Sequence, residues 1–249
     1  MSNLTGKYAV VTGAGKGIGR AIAKRFLEDG VAGVALLDMD VALVTATAAE
    51  LDPTGSRTIA IKCDVSDQEN VNQAFAQVNE KFGRVDILVN NAGITRDAMF
   101  HKMSVQQAQQ VMNVHFYGTF YCCQAVIEGM RARNYGKIVN ISSTSAFGNI
   151  GQTNYSAAKA AIDGFTRTLA LESARKNITV NSIAPGMIDT DILKTIPADI
   201  MEQKIKNTPA QRLGDPSEIA SVASFLASDD SSWVTGNCIL ACGGLKMRG

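Results

Sequence analysis

The sequence of 249 residues lacks the features that mark nucleic-acid-binding, membrane or secreted proteins. Its 24 Lys and Arg residues almost balance its 23 Asp and Glu residues, so the formal net charge is only +1. This balance excludes the broad basic surface by which proteins bind nucleic acid or anionic membranes. The apolar runs are no longer than a strand, whereas a membrane span needs roughly 20 residues. The N-terminal residues also lack the charged start and cleavage site of a signal peptide.

Cysteine and histidine are scarce, which argues against disulfides and metal sites. An odd number of cysteines, two of them adjacent, is a poor disulfide framework and favours a reduced, cytoplasmic location. With only two histidines, the sequence does not supply the four or so nitrogen or sulfur ligands that zinc needs at motif spacing, so we expect no metal. We interpret the cysteines as small buried apolar residues. They are Cys63, Cys122, Cys123, Cys238 and Cys242.

Short apolar runs alternate with longer amphipathic stretches, a pattern typical of βαβ units and a parallel sheet. Strands are predicted at 8–12, 33–37, 58–63, 87–89, 137–141, 179–183 and 237–241. Helices are predicted at 17–29, 41–51, 105–133, 155–176 and 216–227, with another that ends at Phe82 and opens with a Ser66–Glu69 capping box. The irregular stretch 187–213 is the expected lid. The predicted fold class is α/β, a single doubly wound, Rossmann-type domain over residues 1–249 with about seven parallel strands.

A glycine-rich turn follows the first predicted strand. Glycines let the backbone approach a pyrophosphate, and the helix that follows presents free N–H groups and a positive dipole end. The strict G-x-G-x-x-G pattern is absent because Ile18 stands in place of its third glycine, and glycines also serve ordinary turns. The order of strand, turn and helix nevertheless favours a dinucleotide. The candidate residues are Gly13, Gly15, Lys16, Gly17, Ile18 and Gly19.

An acidic residue, Asp38, ends the second predicted strand. It lies near the offset of roughly 20 residues at which an acid binds the adenosine ribose. The alternative is that Asp38 caps the next helix, but its pairing with the glycine turn favours the ribose. A 2′-phosphate beside this carboxylate would be repelled by several kcal/mol, a cost that Lys16 could partly offset. The sequence therefore predicts NAD, with NADP the less favoured cofactor.

Tyr155 and Lys159 are four residues apart and lie on one face of a predicted helix. A phenol with a pKa of about 10 is a poor base near neutral pH. An ammonium about 4 Å away, at an effective dielectric of about 20, could lower that pKa by roughly two to three units. The pair could then take a proton from an alcohol or give one to a ketone. The alternative is an ordinary Tyr and Lys on a helix surface, which this spacing alone does not exclude.

Taken together, the motifs resemble those of the short-chain dehydrogenase/reductase family over essentially the whole chain. They stand in the family's order: Thr12-Gly-x3-Gly-x-Gly19, Asp64, Asn90-Asn91-Ala92-Gly93, Asn113, Ser142-Ser143, Tyr155-x3-Lys159 and Pro185-Gly186. The stretches 93–97 and 151–156 look like the 3-oxoacyl-ACP reductase branch of the family.

The resemblance implies a role for each matched residue. Tyr155 would be the acid/base, and Lys159 would hold the nicotinamide ribose and lower the Tyr155 pKa. Asn113 would hold a water that joins Lys159 to solvent. No metal is implied, because the hydride chemistry belongs to the nicotinamide. The remaining residues expected to contact the cofactor are Met39, Asp64, Val65, Asn91, Ala92, Gly93, Pro185, Gly186, Ile188 and Thr190.

Two adjacent serines compete for the position beside Tyr155. The family's usual spacing to the tyrosine points to Ser142, whereas alignment of the strand 137–141 points to Ser143 with a loop one residue shorter. A one-residue slip would turn a strand side chain to the other face, while loops absorb deletions. We therefore favour Ser143 as the residue that hydrogen-bonds the substrate oxygen.

The motifs predict carbonyl–carbinol chemistry but leave the substrate open. The leading interpretation is an NAD-dependent dehydrogenase that interconverts a small secondary alcohol and a ketone. The second is a reductase of 3-oxoacyl thioesters, which the stretch 94–97 favours and Asp38 opposes, because biosynthetic reductases commonly use NADPH. A cofactor-binding regulator without turnover is disfavoured by the intact Asn-Ser-Tyr-Lys set.

Two further expectations concern the partner subunits and the substrate pocket. The resemblance implies a homotetramer formed through the helices that carry Asn113 and Tyr155. An apolar substrate pocket is predicted from Ile188, Ile192, Leu193, Ile196 and Met201.

Overall fold

The computed structural model describes residues 2–191, 193 and 198–247, and a seven-stranded parallel sheet forms its centre. The strands are β1 (Tyr8–Thr12), β2 (Gly33–Asp38), β3 (Thr58–Lys62), β4 (Ile87–Asn90), β5 (Gly136–Ile141), β6 (Ile178–Pro185) and β7 (Cys238–Ala241). Their order across the sheet is β3-β2-β1-β4-β5-β6-β7, and every neighbouring pair is parallel. The predicted α/β fold with about seven parallel strands is confirmed.

Helices cover both faces of the sheet, and the alternation of side chains along each strand explains why. On β1, Ala9 and Val11 join one buried cluster and Val10 joins the other. Apolar stripes of the helices complete these two cores, with Phe26 in the first and Phe75 in the second. The helices are α1 (Gly17–Glu28), α2 (Val41–Leu51), α3 (Gln68–Phe82), α4 (Val105–Met112), α5 (Gly118–Arg133), α6 (Thr153–Ser173), α7 (Ala198–Lys206) and α8 (Pro216–Ala227).

The strand order reverses at β1, whose neighbours are β2 on one side and β4 on the other. Loops that leave the carboxyl ends of β1 and β4 diverge at this point and open a crevice. Open α/β sheets bind their ligands at such a switch point. The glycine-rich turn after β1 and the stretch 91–95 after β4 therefore border the expected cofactor site.

Two local predictions need correction. The Ser66–Glu69 capping box is wrong, because Asp67 caps α3 and accepts hydrogen bonds from the backbone N–H groups of Glu69 and Asn70 at 2.9 and 3.2 Å. The Ser66 hydroxyl instead donates to Asp64 at 2.7 Å. The helix predicted at 105–133 contains a π-helical turn at Asn113–Tyr117, which separates α4 from α5.

The expected lid at 187–213 contains α7, and it lies partly outside the described residues, as Ile192 and Ile196 do. None of the described helices is both long and apolar enough to cross a membrane. Of the cysteines, Cys63, Cys122 and Cys123 are buried as expected, while the two near the C-terminus are only partly buried.

Candidate active site

The turn between β1 and α1 is packed so closely that side chains would not fit at two of its glycines. A Cβ at Gly19 would lie 2.2 Å from the carbonyl oxygen of Gly13. A Cβ at Gly13, whose φ is +62°, would lie 2.8 Å from the Cα of Ala92. The turn therefore brings bare backbone and the amino end of α1 to the edge of the crevice, as a bound pyrophosphate requires.

Side-chain hydrogen bonds tie this turn to the loop after β4. The Asn91 Nδ2 donates to the carbonyl oxygens of Thr12 and Gly13 at 2.9 and 3.0 Å. The Thr12 hydroxyl oxygen accepts from the backbone N–H groups of Asn91 and Ala92, each at 3.0 Å. Thr12 is a residue to which sequence reasoning gave no role, although it begins the glycine motif.

A cavity of about 350 Å³ lies between these two loops. Most of the residues predicted to contact a cofactor line it. Those residues are Gly13, Lys16, Gly17, Ile18, Asp38, Met39, Asp64, Val65, Asn91, Ala92, Gly93, Tyr155, Lys159 and Thr190. Gly15 and Gly19 shape the turn without lining the cavity. A cavity lined by the glycine turn, the first residues of α1 and the acid Asp38 fits a dinucleotide.

The Asp38 carboxylate is fixed at the end of β2. Its Oδ2 accepts the backbone N–H of Gly15 at 3.0 Å, and its Oδ1 accepts the backbone N–H of Asp40 at 3.1 Å. The alternative cap role does not apply, because Asp40 caps α2 through the backbone N–H of Leu43. Lys16 lies 3.5 Å from Asp191, measured from Nζ to Oδ2.

A second cavity of about 480 Å³ adjoins the first. Both serines, Pro185, Gly186 and Ile188 line this cavity rather than the first one. The Gly186 position is closed to side chains, since a Cβ there would lie 2.8 Å from the Cα of Cys242. The side chains that line both cavities are Ile18, Thr95, Ile141, Tyr155 and Thr190.

Tyr155 and Lys159 share one face of α6, as their spacing predicts. The Lys159 Nζ lies 5.5 Å from the centroid of the Tyr155 ring and donates to the backbone oxygen of Ile141 at 2.6 Å. Burial lowers the pKa of Lys159 to about 7, while the charge of Asp163, one turn further along α6, acts to raise that pKa.

The lowered pKa expected for Tyr155 is wrong for the chain alone. Burial raises the pKa of Tyr155 to about 12, and the charge of Asp97 adds to the rise, while a hydrogen bond with the Ser143 side chain acts to lower the pKa. The phenol at the junction of the two cavities is therefore held in its protonated form. In that form it can give a proton to a carbonyl oxygen.

The two serines point in different directions. The Ser142 side chain is buried, and its hydroxyl donates to the backbone oxygen of Lys159 at 3.4 Å. Ser143 is only partly buried, lines the second cavity and forms the hydrogen bond with Tyr155. This arrangement favours Ser143 as the serine that would meet a substrate oxygen.

Comparison with known proteins agrees with this architecture. The family model described as Enoyl-(Acyl carrier protein) reductase matches residues 13–246. The 3-oxoacyl-[acyl-carrier-protein] reductase of Vibrio harveyi is 40% identical over 248 residues, which cover 98% of this chain and 99% of the relative. The acetoacetyl-CoA reductase of Shinella zoogloeoides is 44% identical over 245 residues, 96% of this chain and 98% of the relative. This chain is a short-chain dehydrogenase/reductase.

A solved structure supports the same assignment. A crystal structure from Agrobacterium tumefaciens, provisionally assigned as a gluconate dehydrogenase, matches with a TM-score of 0.94 at 32% identity. The match covers 98% of this chain and 97% of that chain. As a short-chain dehydrogenase/reductase, the protein is an oxidoreductase that uses a nucleotide cofactor and acts on a CH–OH or keto group.

One predicted site residue of this short-chain dehydrogenase/reductase is not brought to the site. Asn113 is exposed at the start of the π-helical turn, and it is not among the described residues that line either cavity. His115, two residues later, is buried and lines the cofactor cavity. The spacing of Val111, His115 and Cys122 along a buried helix face was the only sequence signal for it.

Sequence reasoning also missed residues on the wall of the second cavity. Lys204 on α7 and Lys246 near the C-terminus both line it. These lysines have no local pattern that marks a site, because the fold alone brings them together. Within the described part of the chain, no group of three or more His, Cys, Asp or Glu side chains could hold a metal ion.

Proposed function

We propose that this enzyme interconverts a 3-hydroxyacyl and a 3-oxoacyl thioester, with NAD(H) as its cofactor. The observation that carries the proposal is the position of Tyr155. Its side chain lines both the cavity that contains the glycine turn and Asp38 and the cavity that contains Ser143. A proton carrier at this junction reaches a carbonyl oxygen in the second cavity while a cofactor occupies the first.

Tyr155, Ser143 and Lys159 have different roles in the proposed reaction. A bound nicotinamide supplies the hydride that the carbonyl carbon accepts, or takes it back in the reverse direction. Tyr155 donates its phenolic proton to the carbonyl oxygen, and the Ser143 hydroxyl hydrogen-bonds that oxygen as charge develops on it. Lys159 would hold the ribose of the bound cofactor beside Tyr155, and its ammonium stabilises the phenolate that forms when Tyr155 gives up its proton.

The thioester substrate is supported by charge in the second cavity. Both curated relatives described above are named for 3-oxoacyl groups joined to a carrier protein or to CoA. Lys204 and Lys246 on the cavity wall suit the phosphates that such carriers bear. Met187, Leu193 and Leu245 on the same wall suit an acyl chain.

The preference for NAD is supported by the fixed carboxylate of Asp38. An acid in this place accepts hydrogen bonds from ribose hydroxyls and repels a 2′-phosphate. Lys16, the basic residue of the glycine turn, already faces Asp191. The cytoplasmic location and the homotetramer remain predictions from the sequence.

A small hydroxy acid is the second candidate substrate. The same two lysines would suit its carboxylate, and the structural neighbour from Agrobacterium tumefaciens is provisionally assigned to that chemistry. The two candidates differ in length, because a thioester with its pantetheine arm needs the full depth of the second cavity and a space that leads out of it.

The test is a panel of substrates, each measured with NADH and with NADPH. It contains acetoacetyl-CoA, an acetoacetyl carrier protein, acetoacetate and 2-oxo acids. We expect kcat/KM for acetoacetyl-CoA to exceed that for acetoacetate by about 100-fold or more, which corresponds to about 2.7 kcal/mol of added transition-state binding. Equal or faster turnover of the free acids would favour the second candidate. No turnover of any ketone would contradict both.

A further inference from the structure

His115 is a buried ionisable residue beside Tyr155 that has no part in the reaction as described so far. It lies in the π-helical turn Asn113–Tyr117, and only 2% of its surface is exposed. A π-helical turn inserts one extra residue into a helix and is frequent at functional sites. In this protein, the side chains of the turn point to different sides: Asn113 is exposed to solvent, and His115 lines the cofactor cavity.

The imidazole of His115 joins the loop after β4 to Tyr155. Its Nε2 lies 3.1 Å from the backbone nitrogen of Ile94 and 2.8 Å from the backbone oxygen of the same residue. Its ring meets the Tyr155 ring edge to face, with centroids 5.1 Å apart and planes at 89°. The position of Gly93 accommodates the ring, because a Cβ there would lie 2.4 Å from the His115 Cε1.

The electrostatic surroundings keep this imidazole neutral. Burial and the charge of Lys159 lower the pKa of His115 to about 3, although its hydrogen bond to Ile94 acts in the opposite direction. The ionisable groups that face it are Lys159 and Tyr155, both on α6. Because the His115 ring is neutral, Lys159 is the one positively charged group among the three described residues His115, Tyr155 and Lys159.

One ring nitrogen of His115 makes no hydrogen bond within the described part of the protein. The His115 Nδ1 is buried and has no hydrogen-bond partner among the described residues of the protein. An apolar side chain in the same space would leave no buried polar atom unpaired. A polar ring at this position is therefore accounted for by what it holds in place.

We propose that His115 is a positioning residue for proton transfer, an inference that rests on the proposed role of Tyr155. Its Nε2 anchors it to the Ile94 backbone, and its perpendicular packing against the Tyr155 ring fixes the phenol relative to the loop that borders the cofactor cavity. It lies beside the Tyr155–Lys159 pair, whereas Asn113, which the resemblance assigned to a water between Lys159 and solvent, is exposed.

Two variants separate the anchor from the bulk of the ring. His115→Phe keeps an aromatic edge against Tyr155 but cannot bond to Ile94, whereas the amide of His115→Gln reaches about as far as Nε2 and restores the bond. We expect His115→Phe to lower kcat about 10-fold or more and to raise the solvent deuterium isotope effect, with KM for the ketone within about 3-fold. His115→Gln should recover most of kcat.

The control is Tyr117→Phe, in the same turn but 44% exposed, which should leave kcat within about 2-fold. If His115→Phe does not fold, His115→Met fills the same space without a polar anchor. A normal kcat in either anchor-free variant would overturn the proposal. So would a loss of kcat that matches the loss of folded protein with an unchanged isotope effect.

All rates are measured on the ketone that the unmodified enzyme reduces fastest. Absence of turnover by the unmodified enzyme would contradict the proposed function. Normal turnover by the unmodified enzyme, together with normal turnover by His115→Phe, would contradict only the role of His115.

Discussion

Replacement of Asp38 by Asn should remove the discrimination between NAD and NADP. The substitution keeps the shape of the side chain, and its amide oxygen can still accept the backbone N–H of Gly15, now 3.0 Å from the carboxylate. What it removes is the negative charge at the end of β2, together with the second acceptor oxygen that now accepts the backbone N–H of Asp40 at 3.1 Å. Asp38→Ala removes both the charge and the contact, so the two variants together separate charge from shape.

The magnitude follows from Coulomb's law. Two unit charges about 4 Å apart at an effective dielectric of about 20 interact by roughly 4 kcal/mol. Asp38 is partly exposed, and solvent, salt and Lys16 reduce this repulsion. If about 2 kcal/mol remains, the unmodified enzyme prefers NAD by roughly 30-fold, since about 1.4 kcal/mol is tenfold. In Asp38→Asn the preference should fall to within about 3-fold, chiefly because NADP gains affinity.

The assay is kcat/KM for NADH and for NADPH at one saturating ketone concentration. Asp40→Asn is the matched control, because Asp40 also carries a negative charge after β2 but caps α2 and is not among the described residues that line the cofactor cavity. Its cofactor preference should stay within about 2-fold of the original. An unmodified enzyme that prefers NADPH would refute the reasoning and would favour an NADPH-dependent thioester reductase.

Three further predictions concern the reacting groups. Tyr155→Phe should lower kcat by about 100-fold or more while cofactor affinity, measured by fluorescence titration, is retained; near-normal turnover would remove Tyr155 from its role. Ser143→Ala should lower kcat more than Ser142→Ala does, because the Ser143 side chain interacts with the Tyr155 phenol whereas the Ser142 hydroxyl donates to the backbone oxygen of Lys159; the reverse ranking in steady-state rates would assign the substrate contact to Ser142. If Lys159, with a pKa of about 7, holds the ribose as an ammonium, as proposed, cofactor affinity should weaken as pH rises through that value. In Asp163→Asn the Lys159 pKa falls further, so the weakening should begin at lower pH; an unshifted titration curve would contradict this.

The sheet and the glycine turn could be predicted because their signals are local. Side chains alternate along each strand, and Gly, Pro and Asp mark the strand ends, so the pattern can be read without knowledge of distant contacts. The pairing of Asp38 with the glycine turn also follows from local order, since the carboxyl ends of adjacent parallel strands meet at one edge of the sheet. The hydrogen bond from the Gly15 backbone N–H to the Asp38 carboxylate joins the two strand ends directly.

What the sequence could not predict depends on contacts between distant residues. The cap of α3 was misassigned because the Ser66 hydroxyl is drawn to Asp64, a preference that the capping-box pattern does not contain. The raised pKa of Tyr155 reflects burial, whereas the sequence supplied only the nearby charge of Lys159. Asn113 was assigned by resemblance alone, and no local pattern predicted the π-helical turn in which Asn113 is exposed and His115 lines the cofactor cavity.

The two cavities that meet at Tyr155 are lined mainly by two different segments of the chain. The cofactor cavity draws mostly on residues 13–115, and the adjoining cavity mostly on residues 141–246. Substitutions in residues 141–246 can therefore change which molecule is oxidised or reduced, while residues 13–115 continue to bind the same cofactor. A scaffold divided in this way can diversify its chemistry by exchange of one half. Chimeras joined between β4 and β5 would inherit cofactor choice from one parent and substrate range from the other.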